Sequence, residues 1–314
     1  MEIQMASAIR DHLPRRLGRL KRNDTLEYWF ALPAILVLLA LVIGPMLWSL
    51  YTSFTQFSLV TSGGQTWVGL ENYAQLLSND RFIGALGNTA VYVVLGVGVQ
   101  FVLGLTVALV MANYTSGIVT TVLFTALLLP MMMAPIVAGY VWKLMLNPSF
   151  GVVNYVLETV GIGAQGWTGS TAQSLMSVML ADVWQWTPFM VLLLYTGRIT
   201  IPGHLYEAAR MDGASRWFAF RHVTLPQMKG VIAVAILLRA MDAFKFFDKM
   251  FVMTRGGPGS SSELATYTNY LAGFNSYSMG EATAMSWVLV IIAVVLATLF
   301  LFALQRTEGG EDIV

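Results

Sequence analysis

The sequence predicts an all-α, polytopic membrane protein of six transmembrane helices, and three observations carry that prediction. Of its 314 residues, 56% are hydrophobic and only 11% charged, against roughly a quarter charged in an ordinary soluble domain. The charges are separated by long neutral runs: none lies between Glu27 and Glu71, and none from Phe82 through Trp142. About 20 apolar residues cross a bilayer as a helix, so these runs read as spans.

Residues 28–51 form the first span, with Pro33 and the Gly44-Pro45 pair as kink points. The neutral stretch from Phe82 exceeds one crossing. The polar break Asn113-Tyr-Thr-Ser-Gly117 divides it into a second span, 89–111, and a third, 119–146. The fourth, 171–195, encloses Asp182; the fifth, 231–252, carries several charges; the sixth, 282–303, carries none. The chain thus divides into a basic tail, 1–28, a transmembrane domain, 29–303, and a short tail, 304–314.

Orientation follows from the cations. Arg10, Arg15, Arg16, Arg19, Lys21 and Arg22 precede the first span, which places that end in the cytoplasm, and six spans bring the other terminus to the same side. Arg198, Arg210, Arg216, Arg221 and Lys229, between spans four and five, also fall inside. Arg81, Lys143, Lys249 and Arg255 fall outside, and Arg239 and Lys245 stay in the membrane. The first apolar run is too long for a signal-peptide h-region of roughly 7 to 15 residues, so it is expected to persist as an anchor. The basic tail also suits contact with anionic membrane lipid.

Several function classes drop out. A net charge of +1 with no basic face argues against a nucleic-acid partner. The chain has no cysteine, and its histidines, His12, His204 and His222, lie apart, so no metal site is expected. There is no GxxxxGK[ST] stretch to cradle nucleotide phosphates, no HExxH and no serine nucleophile elbow. No catalytic residue is assigned.

The connection 198–229 is too long to be structureless. Pro202 suits the first turn of a helix continuing through 205–211, and Gly213 suits its left-handed cap. Ser215 can cap a second helix, 216–223, which Pro226 should stop. Leu205, Ala208 and Ala209 stand at i, i+3 and i+4, flanked by Glu207 and Arg210, a face suited to a partner's groove.

Span five carries Arg239, Asp242, Lys245 and Asp248 at successive i, i+3 steps, so neighbours of opposite sign can pair along one side. At about 1.5 Å per residue from 231, Asp242 falls near the midplane, where transporters commonly place substrate. Asp182, Trp184, Gln185 and Trp186 in span four offer carboxylate, amide and flat aromatic surfaces to a hydroxyl-rich solute. Two readings stay open: these residues line a pathway, or the charges neutralise one another as glue and the tryptophans anchor at the interface.

Glu207-Ala208-Ala209, three residues, Gly213, nine residues, then Val223, Thr224, Leu225-Pro226 resembles the EAA-loop signature of ABC-importer permeases. The opening span with Pro33 and Pro45, Val68-Gly-Leu-Glu-Asn-Tyr73, Asn88-Thr89, Leu146-Asn-Pro148, Trp184-Gln-Trp-Thr-Pro188 and Gly256-Gly-Pro-Gly259 resemble the sugar-importer permeases of the maltose-transporter type. The likeness covers nearly all of 32–302. It implies a type I importer permease of the bacterial inner membrane. By it, Glu207, Ala208, Ala209, Arg210 and Gly213 contact a separate ATPase, and Leu225 and Pro226 set the loop's exit. It implies no cofactor in this chain, with ATP and Mg on two ATPase partners, a second, similar permease making a heterodimer, and an extracytoplasmic solute-binding protein. The solute would be a sugar or sugar-like compound.

The main rival is an ion-driven secondary transporter using Asp182, Asp242 and Asp248 as relay groups, although such carriers generally hold both halves of the pathway in one chain. A membrane scaffold or channel subunit is the third class.

Overall fold

The computed structural model describes residues 24–60 and 63–308; the cations of the basic tail, whose lipid contact was expected, lie outside them. Helix α1, Asp24–Ser53, continues through Pro33 and Pro45. From Phe30 to Leu47 it carries no charged side chain, as a helix that crosses hydrocarbon requires.

From Thr52 onward the chain forms a second unit. A short antiparallel pair, β1 Thr55–Gln56 and β2 Thr66–Trp67, leads to α2, Glu71–Leu77, and then α3, Asp80–Tyr114. Helices α4, Gly117–Met132, and α5, Pro135–Met145, follow, then α6, Val152–Thr159, and α7, Ser174–Ile199. The loop helices are α8, Gly203–Met211, and α9, Arg216–Ala219; a π-turn, Phe220–Thr224, leads into α10, Leu225–Phe244. The chain closes with α11, Asp248–Met253, α12, Ala265–Tyr270, a second π-turn, Leu271–Asn275, and α13, Met279–Glu308. Among the described residues, five helical segments are long and apolar enough to cross a membrane, or six if the bent pair α4 and α5 counts as one span.

The expected spans are found, with three corrections. First, α3 starts nine residues before the expected 89, at Asp80. Thirty-five residues make about 50 Å of helix, more than the ~30 Å hydrocarbon core. Asp80 and Arg81 belong to the first turn of this helix and do not precede it. Asn79 caps that end, its Oδ1 accepting from the backbone N–H of Arg81 at 3.0 Å and of Phe82 at 3.3 Å.

Second, spans three and five are broken. Met133 and Ala134 are extended ahead of Pro135, and α4 and α5 meet at 94°, because a residue preceding proline avoids the helical region. The expected helix through 252 stops at Phe244 and restarts at Asp248. The two outer fragments pack on each other: Gly139 of α5 lets the backbone of Lys249 approach, its missing Cβ being 3.2 Å from the Lys249 Cα. Lys143 then donates to the Val252 carbonyl at 2.9 Å, satisfying a helix-end acceptor.

Third, Pro226 does not stop a helix. It sits in the first turn of α10, and the helix runs on from Arg216 to Phe244. The π-turn makes this possible: the Leu225 N–H bonds the Phe220 carbonyl, an i→i−5 bond, and the wider turn relieves the ring's clash with the preceding backbone.

The core lies where α3, α7 and α10 meet, with Tyr92, Val178, Ala181, Met190, Leu194 and Met228 buried. A smaller cluster, including Leu76, Phe82, Ala284 and Met285, joins α2 and α3 to α13. At the far end from the 198–229 loop, Arg81 grips Glu263 bidentately, with 2.9 Å and 3.0 Å contacts, and the Asn88 amide donates to the Glu263 carbonyl at 3.0 Å.

The α3–α7 seam requires close approach at Gly104, whose missing Cβ would fall 2.5 Å from the Met190 Cβ. Gly104→Val should destabilise by about 1–3 kcal/mol, measured as a lower melting temperature of the purified protein in detergent. Gly98→Val, on the same helix but facing open space, should change it little.

Candidate functional site

Two places concentrate polar chemistry. The first is inside the helical core. Asp182, on α7 and 1% exposed, accepts at Oδ1 from Lys249 Nζ at 2.8 Å and at Oδ2 from Gln100 Nε2 at 3.0 Å and from Arg239 Nη2. Arg239 Nε donates to Gln100 Oε1 at 2.7 Å, and its Nη1 to Asp242 Oδ2 at 2.8 Å. One carboxylate, two cations, one amide and the flanking Asp242 thereby join α3, α7, α10 and α11. A buried charge is tolerable when paired and hydrogen-bonded in this way.

The expected Arg239–Asp242 pair is present; the expected chain of pairs through Lys245 and Asp248 is not. Helix α10 ends at Phe244, Lys245 becomes its exposed C-cap, and Asp248 opens α11. Among the described residues neither takes part in an ion pair. The break also corrects the reading of Lys249 as a charge of the third outer segment, since it turns Lys249 back to full burial. Gln100 was missed as well, although an amide in the middle of a chargeless span is a readable signal.

The span-four residues divide. Gln185 is fully buried, its Nε2 donating at 2.7 Å to the Met133 carbonyl at the break in span three; its Oε1 has no partner among the described residues. Trp184 is exposed and packs edge-on to Trp142 at 6.0 Å. Trp186 is half-buried, with the Arg239 guanidinium 5.5 Å from its ring centroid. Asp242 keeps its side chain 50% exposed, so the cluster has one solvated carboxylate beside an aromatic face.

The second place is the loop. Helix α8 begins at Gly203, with Pro202 at its N-cap. It ends as expected: Gly213 takes φ +79°, its N–H bonding the Arg210 carbonyl at 3.0 Å while Ala214 bonds Ala209 at 2.9 Å, the double closure of a Schellman cap. The Ser215 hydroxyl accepts from Phe218 N–H at 3.2 Å and starts α9. The exposed stripe differs from the expected one. Leu205 and Tyr206 pack on the protein's own core, and Tyr206 bonds Thr224 at 2.9 Å. The outward residues are His204, Glu207, Ala208 and Met211, at i, i+3, i+4 and i+7. Ala209 is half-buried; Arg210 and Gly213 are exposed; Leu225 and Pro226 begin α10. The loop is thus anchored on one side and free on the other, whereas the sequence pattern alone gave the free side to Leu205.

Residues 100–308 match the family described as binding-protein-dependent transport system inner membrane component. A trehalose/maltose transport system permease protein of Thermococcus litoralis is 35% identical over 260 residues, covering 83% of this chain and 86% of that one. A trehalose transport system permease protein of Mycobacterium tuberculosis is 33% identical over 301 residues, covering 94% of each. A bacterial ABC transporter involved in import of the acidic polysaccharide alginate contains a chain of the same fold, with a TM-score of 0.79 at 21% identity over 96% of this chain and 99% of that one. This is the all-helical type I permease architecture.

Asp182→Asn should cost several kcal/mol, roughly the 3–5 kcal/mol of breaking a buried pair, because it weakens the hold on two buried cations. Asp242→Asn, at a half-solvated pair, should cost under about 1 kcal/mol. Thermal unfolding of the two purified variants checks this order; equal losses would contradict the division into buried clamp and solvated flank.

Proposed function

We propose that this chain, which belongs to the binding-protein-dependent transport system inner membrane component family, forms half of the membrane pathway for a sugar or sugar-like solute. It is a permease of an ABC importer. We infer a bacterial inner-membrane location with both termini cytoplasmic, from the cation distribution, and keep the division into tail 1–28, transmembrane domain 29–303 and tail 304–314.

One observation carries the coupling role: α8 is held to its own protein through Leu205 and Tyr206 while the stripe around Glu207 and Ala208 stays uncovered. A helix built this way transmits force from whatever grips its outer face. The gripping partner is a separate ATPase, which holds ATP and Mg; two such subunits, a second, similar permease and an extracytoplasmic binding protein complete the assembly. Glu207, Ala208, Ala209 and Arg210 make the contact, Gly213 fixes the turn, and Leu225 and Pro226 start the span that leaves it.

Both readings of the intramembrane charges then hold, for different residues. Asp182, Arg239, Lys249 and Gln100 clamp the helices. Asp242, Trp184 and Trp186, which keep exposed surface, meet the solute; carboxylate and aromatic face suit hydroxyls and the apolar side of a sugar ring. The sugar class rests on relatives named for trehalose and maltose. No relative named here supports the ion-coupled carrier weighed on the sequence.

In proteoliposomes holding the full complex, uptake of labelled trehalose or maltose should need ATP, stop with vanadate and survive an uncoupler. Uptake abolished by the uncoupler, or performed by this chain alone, would overturn the reading. Gly213→Val forces a β-branched residue into left-handed backbone at about 1–2 kcal/mol, so copurified ATPase should fall roughly 5- to 30-fold. Gly213→Asn, which tolerates that conformation, should retain more.

A further inference from the structure

Where α3 and α7 end against the loop, the structure opens a cleft of about 920 Å³. Three arginines line it, Arg198, Arg210 and Arg216, against one carboxylate, Glu207. Among the described residues none of the four takes part in an ion pair. Instead Arg198 Nη2 donates to Asn113 Oδ1 at 2.9 Å, and Arg216 Nη1 donates to the Tyr114 hydroxyl at 3.2 Å. The two acceptors are neutral and adjacent in the chain. They bring two guanidiniums to the same end of α3; Arg198 also lies over the Tyr206 ring, 4.3 Å from its centroid, but neither meets a carboxylate among the described residues, and each guanidinium has five N–H donors. Such a pair matches the oxygens of a phosphate group.

The surroundings say where the phosphate comes from. The cleft lies at the ends of two apolar spans, α3 and α7, and at the start of the span Arg216–Phe244. Its rim carries Tyr114 and Trp217, 69% and 68% exposed, with Phe218 beside them at 51%. Exposed tyrosine and tryptophan at span ends sit at headgroup level, and basic pockets between helices at that level take acidic headgroups. We propose that this cleft binds the headgroup of an anionic phospholipid, with its phosphate held between Arg198 and Arg216 and its glycerol backbone against Tyr114 and Trp217. Arg198 and Arg216 stand outside the ATPase-facing set, while Glu207 and Arg210 line the same cleft, so the lipid site adjoins the coupling contact.

The test uses the assembled complex, purified in detergent and exchanged into mixtures of phosphatidylglycerol and phosphatidylcholine. Native mass spectrometry should find phosphatidylglycerol retained over phosphatidylcholine. The double variant Arg198→Gln/Arg216→Gln should lower that retention by at least about tenfold, on about 1 kcal/mol per basic residue. Arg221→Gln, an exposed cation of the same loop outside the cleft, should leave it unchanged. If the double variant fails to assemble, Arg216→Lys, which keeps the charge but loses the fork, should give an intermediate loss. Equal retention by wild type and variants, or an equal loss in Arg221→Gln, overturns the site. Full displacement of the lipid by millimolar inorganic phosphate overturns the lipid as the source and assigns a free anion. Lipid retention is read without transport, so failed uptake with retention intact would count against the importer reading alone.

Discussion

The carboxylate of Asp182 is the point on which the described transmembrane unit converges. It stands on α7 and receives Lys249 from α11, Arg239 from α10 and Gln100 from α3. In hydrocarbon, each of these groups alone would be costly. Together they neutralise one another, with Asp242 completing the balance at the edge where it still meets solvent. The arrangement specifies geometry as much as it contributes energy, because the helices can meet only in the register that brings these donors to that acceptor. Whether a buried pair is net stabilising depends on context, but its directionality does not.

The same economy governs the two interrupted spans. A broken helix in a membrane frees backbone groups that lipid cannot satisfy. Here the breaks are served from within: Gln185 donates to the carbonyl of Met133, and Lys143 to that of Val252. The fragments beyond the breaks, α5 and α11, pack against each other through the bare surface of Gly139. Irregular backbone at membrane depth is tolerated where protein buries it, and in transporters such discontinuities lie near the substrate. Trp184 and Trp142, packed edge to face, put aromatic surface in the same neighbourhood.

Much of this was legible in the residues. Chargeless runs gave the spans, and Gly213 and Ser215 gave both ends of the turn between α8 and α9, since left-handed caps and N-caps are local events with strong residue preferences. What was not legible depends on partners distant in sequence. The 245–247 break has no proline to announce it, so Lys249 read as an outer-edge charge when it is in fact turned inward. Pro226 read as a stop because a π-turn is not coded by any single residue. Leu205 read as part of a partner's face because periodicity distinguishes the sides of a helix without saying which side its own protein takes. Gln185 was read as an amide offered to a solute, but the Met133 carbonyl it serves is 52 positions away in the chain.

Because the π-turn keeps α9 and α10 in one unbroken rod, the loop and Arg239 are mechanically the same object, separated by about 35 Å of helix. A rotation imposed near Arg216 is carried toward the buried charges along continuous helix, with the π-turn as the one irregularity among the described residues between them. Chain length along this rod is therefore phase: one residue added or removed would swing the loop by about 100° relative to the membrane end. Ahead of Arg216, where the turn at Gly213 and Ala214 separates α8 from the rod, an added residue would shift a connection and leave the crankshaft itself in register.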